Sequence, residues 1–293
     1  MPCYSPLRAF QHPDGRIQVV KSAAVFNFSL PCGRCIGCRL KYSQMWAIRC
    51  VHEASLHDLN CCVTLTYREE DLPRNGSLVY RDVQLFMKRF RKFIAPNKVR
   101  FFCGGEYGSK TARPHYHMMI FNYDFPDKVV YKERQGVAVN WTSAIANRLW
   151  KLGDVVVGVA DFNSAAYIAR YVCDKVYGDL AADHYRFVDF STGECADLTP
   201  EFAHMSNRPG IGAAWLRKYW KDVVQDLQCV HQGKKVSIPR TYVKYVSQLA
   251  DVEDVQRELK RRMQKLWRDN TPQRLRDKAR VAAARLGLSR RVL

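Results

Sequence analysis

Apolar residues recur along this chain in two alternating periods, and the switches between them divide it into elements. Leu40, Met45, Ile48, Val51 and Ala54 return at helical intervals, which predicts a helix from Arg39 to about His57. Cys61 to Tyr67 alternates and is rich in β-branched residues, as a strand is. After the polar, Pro-containing turn Arg68 to Ser77, the positions Val83, Phe86, Met87, Phe90 and Ile94 mark the inner face of a second amphipathic helix. Lys88, Arg89, Arg91 and Lys92 gather toward its C-terminal half, where cations complement the helix dipole and either contact phosphate or form a solvated face. Arg100 to Phe121 reads as two short strands joined by a turn containing Gly, Ser and Lys. A polar loop follows from Asn122 to Gly136, then a helix from Trp141 to Leu152, a valine-rich strand from Gly153 to Phe162, and a helix capped by Asn163 or Ser164. The succession β, α, β, β, α, β and then a helix predicts an α+β fold: a ferredoxin-like antiparallel sheet core with helical additions.

Beyond Val176 the periodicity weakens. Tyr185 to Asp197 reads as a hairpin around Ser191-Thr192-Gly193, and the run Ser206-Asn207-Arg208-Pro209-Gly210-Ile211-Gly212 leads into a helix with Leu216, Tyr219, Trp220, Val223 and Leu227. A Gly-rich turn at a helix N-terminus either holds a phosphate, with Arg208 adding charge, or simply starts the helix. Residues 250–293 carry 13 Lys or Arg against 6 Asp or Glu, with a narrow stripe of Val255, Leu259, Met263 and Leu266 broken at Pro272. This reads as a basic helical tail that becomes ordered on nucleic acid or lies as a solvated helix. The expected organisation is a cysteine-rich segment and helix over 1–57, a core over 58–180, an accessory region packed on it over 181–249, and the basic tail over 250–293.

Charge narrows the class of partner. Over 293 residues, 47 Lys and Arg face 28 Asp and Glu, a formal +19, which favours a polyanion and nucleic acid foremost. No apolar run approaches the roughly 18 residues of a spanning helix, and the N-terminus lacks a signal-peptide pattern. The expectation is a cytoplasmic protein without a membrane partner. In that setting 11 cysteines point to free thiols and metal ligands rather than a disulfide framework. Cys32, Cys35 and Cys38 form a CxxCxxC with small residues between the sulfurs, and Cys3 is the most economical fourth ligand for a structural Zn²⁺. An iron–sulfur cluster or plain thiols are the alternatives.

Two further constellations carry chemistry. On a strand, His115 and His117 share a face, and folding the two strands together brings the Glu106 carboxylate near them. Two imidazoles and one carboxylate leave open positions and suit Mg²⁺ or Mn²⁺ rather than a closed zinc site; the alternative is a pair of satisfied core histidines. In a helix, Tyr167, Tyr171 and Lys175 are each four residues apart and share one face, as a set of reactive groups or as a half-buried aromatic stripe.

Together these residues resemble the HUH endonucleases that initiate rolling-circle replication, specifically the initiators of small single-stranded DNA phages of the gokushovirus type. His115-Tyr116-His117 is similar to their HUH motif, Tyr167 and Tyr171 to the YxxxY motif, and Cys62-Val63-Thr64-Leu65-Thr66-Tyr67 to the strand called motif 1. The Arg-Pro-Gly-Ile-Gly run is also typical of them, and the resemblance covers roughly residues 30 to 245. One departure is that relatives often place a Lys three residues after the second Tyr, where this chain has Asp174 and then Lys175. The resemblance implies the HUH endonuclease fold and a nicking and joining enzyme that cuts single-stranded DNA at a phage origin through a 5′-phosphotyrosine intermediate. It implies Tyr167 and Tyr171 as nucleophiles, Lys175 or Arg170 as electrostatic helper, and a catalytic metal on Glu106, His115 and His117. Arg113, Arg170 and Arg208 are the expected DNA contacts. With no GxxxxGK[ST] segment in the chain, unwinding is expected from host helicase and replication proteins in the bacterial cytoplasm. A plasmid initiator, relaxase or transposase of the same class, or a non-catalytic zinc-stabilised single-strand binder, are the competing readings.

Overall fold

The N-terminal sulfur ligands are brought together by strand pairing that periodicity alone does not reveal. In the computed structural model, which describes residues 3–20, 27–108, 111–172, 180–188, 192–249, 253–255, 257–259, 261 and 269–290, the chain forms two units. Met45–Trp220 is one, and Met1–Gln44 with Lys221–Leu293 is the other. In the second of these, β1 (Leu7–Gln11) pairs antiparallel with β2 (Ile17–Val19) on one side and β3 (Phe28–Leu30) on the other. The register Leu7↔Leu30 runs Cys3 back alongside Cys32 and Cys35. Helix α1 (Ile36–Ala54) starts immediately after, three residues earlier than its apolar spacing predicts, because the last two cysteines sit on the turn that opens it.

In Met45–Trp220 the predicted strands form one antiparallel sheet. Its members are β4 (Asn60–Thr66), β5 (Arg100–Tyr107), β6 (Pro114–Phe121), β7 (Val129–Arg134), β8 (Val137–Thr142), β9 (Val155–Val159) and β12 (Phe202–Met205), in the order β12-β5-β6-β4-β9-β8-β7. The architecture is α+β with seven antiparallel strands, consistent with the HUH endonuclease fold. Alternation sends Phe101, Cys103, Tyr116, Met118, Ile120, Val63 and Leu65 to one face, where α2 (Tyr80–Phe93) and α3 (Ala144–Trp150) cover them with Val83, Phe86, Phe90 and Trp150. Phe102, Met119 and Phe121 point the other way, against Ala47 and Cys50 of α1 and Ala165, Ile168 and Ala169 of α4 (Phe162–Val172). The central strands of the sheet are therefore covered on both faces.

Several local readings change. The segment expected to be a polar loop holds β7 and most of a hairpin. Val129, Val130 and Tyr131 alternate with too few polar residues to signal an amphipathic strand, since all six β7 residues are exposed. Trp141 belongs to β8, and α3 starts after Ser143, whose hydroxyl accepts from the Ala146 N–H at 3.0 Å. The tyrosine helix is capped by Asp161 rather than Asn163 or Ser164. Asp161 accepts from the Ser164 N–H at 2.7 Å, while the Ser164 hydroxyl accepts from the Asp161 N–H at 2.9 Å, a reciprocal capping box. Within Met45–Trp220, the Arg-Pro-Gly-Ile-Gly turn is clamped from below. Glu53, 2 % exposed, accepts from the Gly212 N–H at 2.7 Å and pairs with Arg100 at 2.6 Å, while Arg49 Nε donates to the Ile211 carbonyl. The amide that a phosphate would need is thus already used by a carboxylate.

The expected hairpin between Tyr185 and Asp197 is present as β10 (Arg186–Val188) and β11 (Cys195–Asp197), following the short α5 (Leu180–His184). Helix α6 (Ala213–Val224) follows the clamped turn. Chain beyond Trp220 belongs to the unit of Met1–Gln44, with the hairpin β13 (Gln228–His231) and β14 (Lys234–Ser237), then α7 (Arg240–Leu249) and α8 (Pro272–Arg290). In the tail, Val255 is buried, whereas Met263 and Leu266 lie outside the described residues.

Between the two site histidines, Tyr116 serves the fold. Fully buried, its hydroxyl accepts from the Val79 N–H at 2.8 Å and lies 2.9 Å from the hydroxyl of Tyr67, which donates to Asp82 at 2.7 Å. Burial pushes the Tyr116 phenol up to about 12, so it stays protonated. Tyr116→Phe leaves the Val79 amide and the Tyr67 hydroxyl short of a partner, at a cost of about 1–3 kcal/mol. Urea unfolding should show a lower midpoint with an unchanged slope; an unchanged midpoint would show that the network carries no stability.

Candidate metal centre and nucleophile helix

Strand register builds the metal centre. Glu106 of β5 lies directly opposite His115 of β6, and on the other side of β6 the partners of His115 and His117 are Thr66 and Thr64 of β4. Both imidazoles turn Nε2 to the same carboxylate oxygen, Glu106 Oε1, at 2.6 Å from His115 and 2.9 Å from His117. Each ring is fixed through its other nitrogen: His115 Nδ1 donates to the Arg113 carbonyl at 3.1 Å, and His117 Nδ1 lies 3.0 Å from Thr64 Oγ1. Such outer partners select the tautomer that leaves Nε2 as ligand. Thr64, which holds the His117 ring, is a residue that the sequence reading passed over, although it sat within the strand compared with motif 1. Only the β4–β6 register identifies its partner.

The donor set fits a divalent ion. The three ligand atoms lie within 4.8 Å of one another. Glu106 is 3 % exposed, and its second oxygen is buried with no hydrogen-bond partner among the described residues. A buried carboxylate oxygen left this way costs free energy unless something positive meets it. Burial alone would push the His115 imidazolium down; the hydrogen bond and charge of Glu106 overcome that and hold its pKa above the usual histidine value.

Helix α4 brings a phenol to this cluster. Ile168, Ala165 and Ala169 seat it on the sheet, and its approach depends on Gly104, which the register sets opposite His117. A Cβ at Gly104 would lie 3.0 Å from Ile168 Cγ2 and 3.3 Å from the Ile168 carbonyl oxygen. With the helix this close, the Tyr167 ring meets the His117 ring edge-on, centroids 5.0 Å apart. Tyr171 follows one turn later on α4, with its side chain outside the described residues, as Asp174 and Lys175 are entirely. Arg170, half-buried, is on the same helix. Arg113 borders the centre, but its guanidinium is engaged with Glu69 and with the Tyr67 carbonyl. Arg208 is exposed in the turn before α6. The glycine pair Gly104-Gly105 and the clamp residue Glu53 were not singled out from sequence. Two adjacent glycines inside a strand were the available signal, since glycine there marks close approach of another element.

In the other unit, Cys3, Cys32, Cys35 and Cys38 present their sulfurs within 4.8 Å of one another. Backbone N–H groups of Tyr4 and Cys35 donate to Cys35 Sγ and Cys32 Sγ at 3.2 and 3.3 Å, and the Cys32 N–H donates to Cys3 Sγ at 3.2 Å. Burial raises the Cys35 thiol, but the donors around its sulfur more than offset that and bring it down to about 6. Amides aimed at sulfur favour thiolate, the ligand form. These are the only two metal-ligand groups found among the described residues.

Comparison with known proteins agrees with this geometry. A family profile described as replication-associated protein ORF2/G2P matches residues 60–176, the stretch from β4 through α4 that holds the centre. Replication-associated protein VP4 of Bdellovibrio phage phiMH2K is 32 % identical over 254 residues, 83 % of this chain and 76 % of its own. Replication-associated protein ORF2 of Spiroplasma virus 4 is 33 % identical over 196 residues, 64 % of this chain and 57 % of its own. For replication-associated protein ORF4 of Chlamydia phage 1 the figures are 34 % over 169 residues, 55 % and 41 %. No solved structure matches. With 32 % identity to the Bdellovibrio phage protein over 83 % of this chain and 76 % of that one, and the profile falling on the sheet with the Glu106, His115 and His117 cluster and its helix, the chain belongs to the phage replication-associated protein family, the microvirus-type rolling-circle initiators.

Proposed function

We propose that this protein initiates phage replication by nicking single-stranded DNA at an origin and rejoining it through tyrosine transesterification. The observation that carries this reading is Tyr167, 37 % exposed on the helix that packs over the sheet beside Glu106, His115 and His117, edge-on to a ligand imidazole. The names of the relatives support the replication context.

Glu106, His115 and His117 would hold Mg²⁺ or Mn²⁺, which when bound supplies positive charge for the phosphate oxygens as negative charge develops on them. Thr64 and the Arg113 carbonyl keep the two imidazoles aimed. An ordinary phenol titrates near 10, so a cation beside the nucleophile favours its phenolate; Arg170 or Lys175 fills that role. The phenolate oxygen bonds to phosphorus, the bond from phosphorus to the 3′ oxygen breaks, and that oxygen leaves as a hydroxyl after taking a proton. The 5′ end stays on the tyrosine as a phosphodiester. Rejoining reverses the step with a 3′-hydroxyl as attacker and needs no ATP. Tyr167 and Tyr171, neighbours on one helix face, give two such attachments, one to open the origin and one to cut the regenerated origin. Arg113 and Arg208 would contact the DNA, and unwinding would fall to host helicase and replication proteins in the host cytoplasm. Among the described residues no helix is long and apolar enough to cross a membrane. The four-cysteine cluster would hold Zn²⁺ as a structural ion.

His115→Ala or His117→Ala should lower adduct formation by more than about a hundredfold, beyond the loss typical of an outer-shell partner. The adduct is read on a denaturing gel with circular single-stranded DNA and Mn²⁺. Protons compete with metal for a ligand histidine, and the His115 pKa is raised. The Mn²⁺ concentration for half-maximal nicking should therefore rise as pH falls through that raised value, and level off above it. Undiminished nicking by either variant, or a metal requirement indifferent to pH, rules the assignment out.

Tyr167→Phe and Tyr171→Phe should each retain some nicking of a short origin oligonucleotide, and the double variant none. Peptide sequencing of the DNA-linked protein should map the adduct to these two positions. Attachment anywhere else overturns the two-tyrosine mechanism even if DNA is cut.

Elemental analysis should find about one zinc per chain that survives exchange of the catalytic ion. Cys32→Ser and Cys35→Ser should lose it and melt at lower temperature; a metal-free protein with the parent melting temperature would identify ordinary thiols.

A further inference from the structure

The chain's positive charge is not shared evenly. Met1–Gln44 with Lys221–Leu293 holds 24 Lys and Arg against 9 Asp and Glu, a net +15, whereas Met45–Trp220, with the metal centre, holds 23 against 19, a net +4. A polyanion is therefore attracted chiefly to the unit that has no part in the proposed chemistry.

That unit also has a groove of about 610 Å³, lined by Tyr4, Leu40 and one face of α8. Along α8 the lining residues Arg274, Lys278, Val281, Ala282 and Arg285 recur at helical spacing over about 16 Å, cations interleaved with small apolar groups; Asp277 also lines the groove, its carboxylate paired with Arg280. Arg274 and Lys278 share the single carboxylate of Asp269, at 2.6 Å each, which leaves the pair net positive. Arg285 is exposed and has no acidic partner among the described residues. Facing them, Tyr4 is held by its own backbone N–H, which donates to Cys35 Sγ in the cysteine cluster. The cluster thus anchors the backbone of an aromatic residue that lines the groove together with the cations.

We propose that this groove is a second DNA-binding site, one that takes single-stranded DNA independently of sequence. Arg274, Lys278 and Arg285 would meet phosphates, and an unstacked base would lie on Tyr4 against Val281 and Leu40. An aromatic surface beside tracking cations is the arrangement that single strands use; a duplex offers backbone to the cations but no free base for the ring. The proposal rests on the proposed function only in taking DNA as the polyanion.

The test is equilibrium binding of labelled oligothymidylate to the full chain carrying Tyr167→Phe and Tyr171→Phe, so that no covalent adduct forms and failure of the nicking mechanism leaves the result intact. Adding Arg274→Gln and Arg285→Gln should weaken binding at least tenfold and lower the slope of log affinity against log salt by about 1.4, the value for two single-strand phosphates. Tyr4→Ala should weaken binding about tenfold or more with the slope unchanged, and Tyr4→Phe, which keeps the ring and the fold, should bind as the parent does. Affinity and slope unchanged in the arginine variant would overturn the proposal. So would equal affinity of Tyr4→Ala and parent, or polyglutamate displacing the oligonucleotide as effectively as unlabelled single strand.

Discussion

At Gly104 the backbone of β5 runs against α4 with no side chain between them, and Ile168 fills the space a Cβ would take. The contact does more than close a core. Gly104 lies opposite His117 in the sheet register, so the point where the helix comes closest is also one strand from a metal ligand. A helix held away by a larger residue would carry Tyr167 away from His117 while leaving the sheet and its ligands in place. Gly105 performs the matching service on the other face. A Cβ there would stand 2.8 Å from the Phe202 ring, whose strand β12 closes that edge of the sheet. Two adjacent residues without side chains thus let helix and edge strand approach the same strand from opposite sides, and the next residue, Glu106, is the buried ligand.

Burying Glu106 has a cost that its neighbours organise. A carboxylate 3 % exposed needs positive charge or donors, and here both imidazoles crowd one oxygen while the other has none among the described residues. Burial opposes the charged form of His115, but the hydrogen bond and charge of Glu106 outweigh it and raise the His115 pKa. A divalent ion held by Glu106, His115 and His117 would supply the positive charge that the second oxygen of Glu106 lacks. The ligands are already oriented by Thr64 and the Arg113 carbonyl, so little rearrangement would accompany its binding. The same logic explains the treatment of tyrosines. Tyr67 and Tyr116 are locked in a buried network that raises both phenols, whereas Tyr167 is left partly exposed.

What could be read from the sequence divides along physical lines. The inner face of α2 and the His-x-His strand were legible because side-chain period alone determines them: Val83, Phe86, Met87, Phe90 and Ile94 are all buried. Glu106 was legible because it lies near the end of the strand that folds back against the His-x-His strand, and the register sets it opposite His115. The β7–β8 ribbon was not, since an exposed strand carries no core face and its Lys and Glu residues read as loop. Glu53 was missed for a different reason. On α1 it is one polar helix position among several, and only the Gly212 amide and Arg100, distant in sequence, make it a buried clamp. That clamp also occupies one amide of the Arg-Pro-Gly-Ile-Gly turn, since Glu53 accepts from the Gly212 N–H. The cap of α4 failed by position: Asp161, Asn163 and Ser164 are all good capping residues, and the capping box uses the first and last of them.

The split of charge bears on how a nicking enzyme stays on its template. Counterion release makes affinity for DNA grow with each phosphate neutralised, and a unit of net +15 can hold a strand through many weak contacts. The unit with the Glu106, His115 and His117 cluster, at net +4, carries far less of that charge. Its arginines can serve structure instead, as Arg89 does in bonding the Leu149 and Trp150 carbonyls that end α3 and Arg100 does in pairing with Glu53. Under the proposed mechanism, a site that releases one phosphodiester and captures another would gain from modest grip, because tight binding of the cleaved ends would slow exchange. Retention through charge in one unit and chemistry at low charge in the other is therefore a consistent design, and it falls with the groove on α8 if that groove takes no single strand.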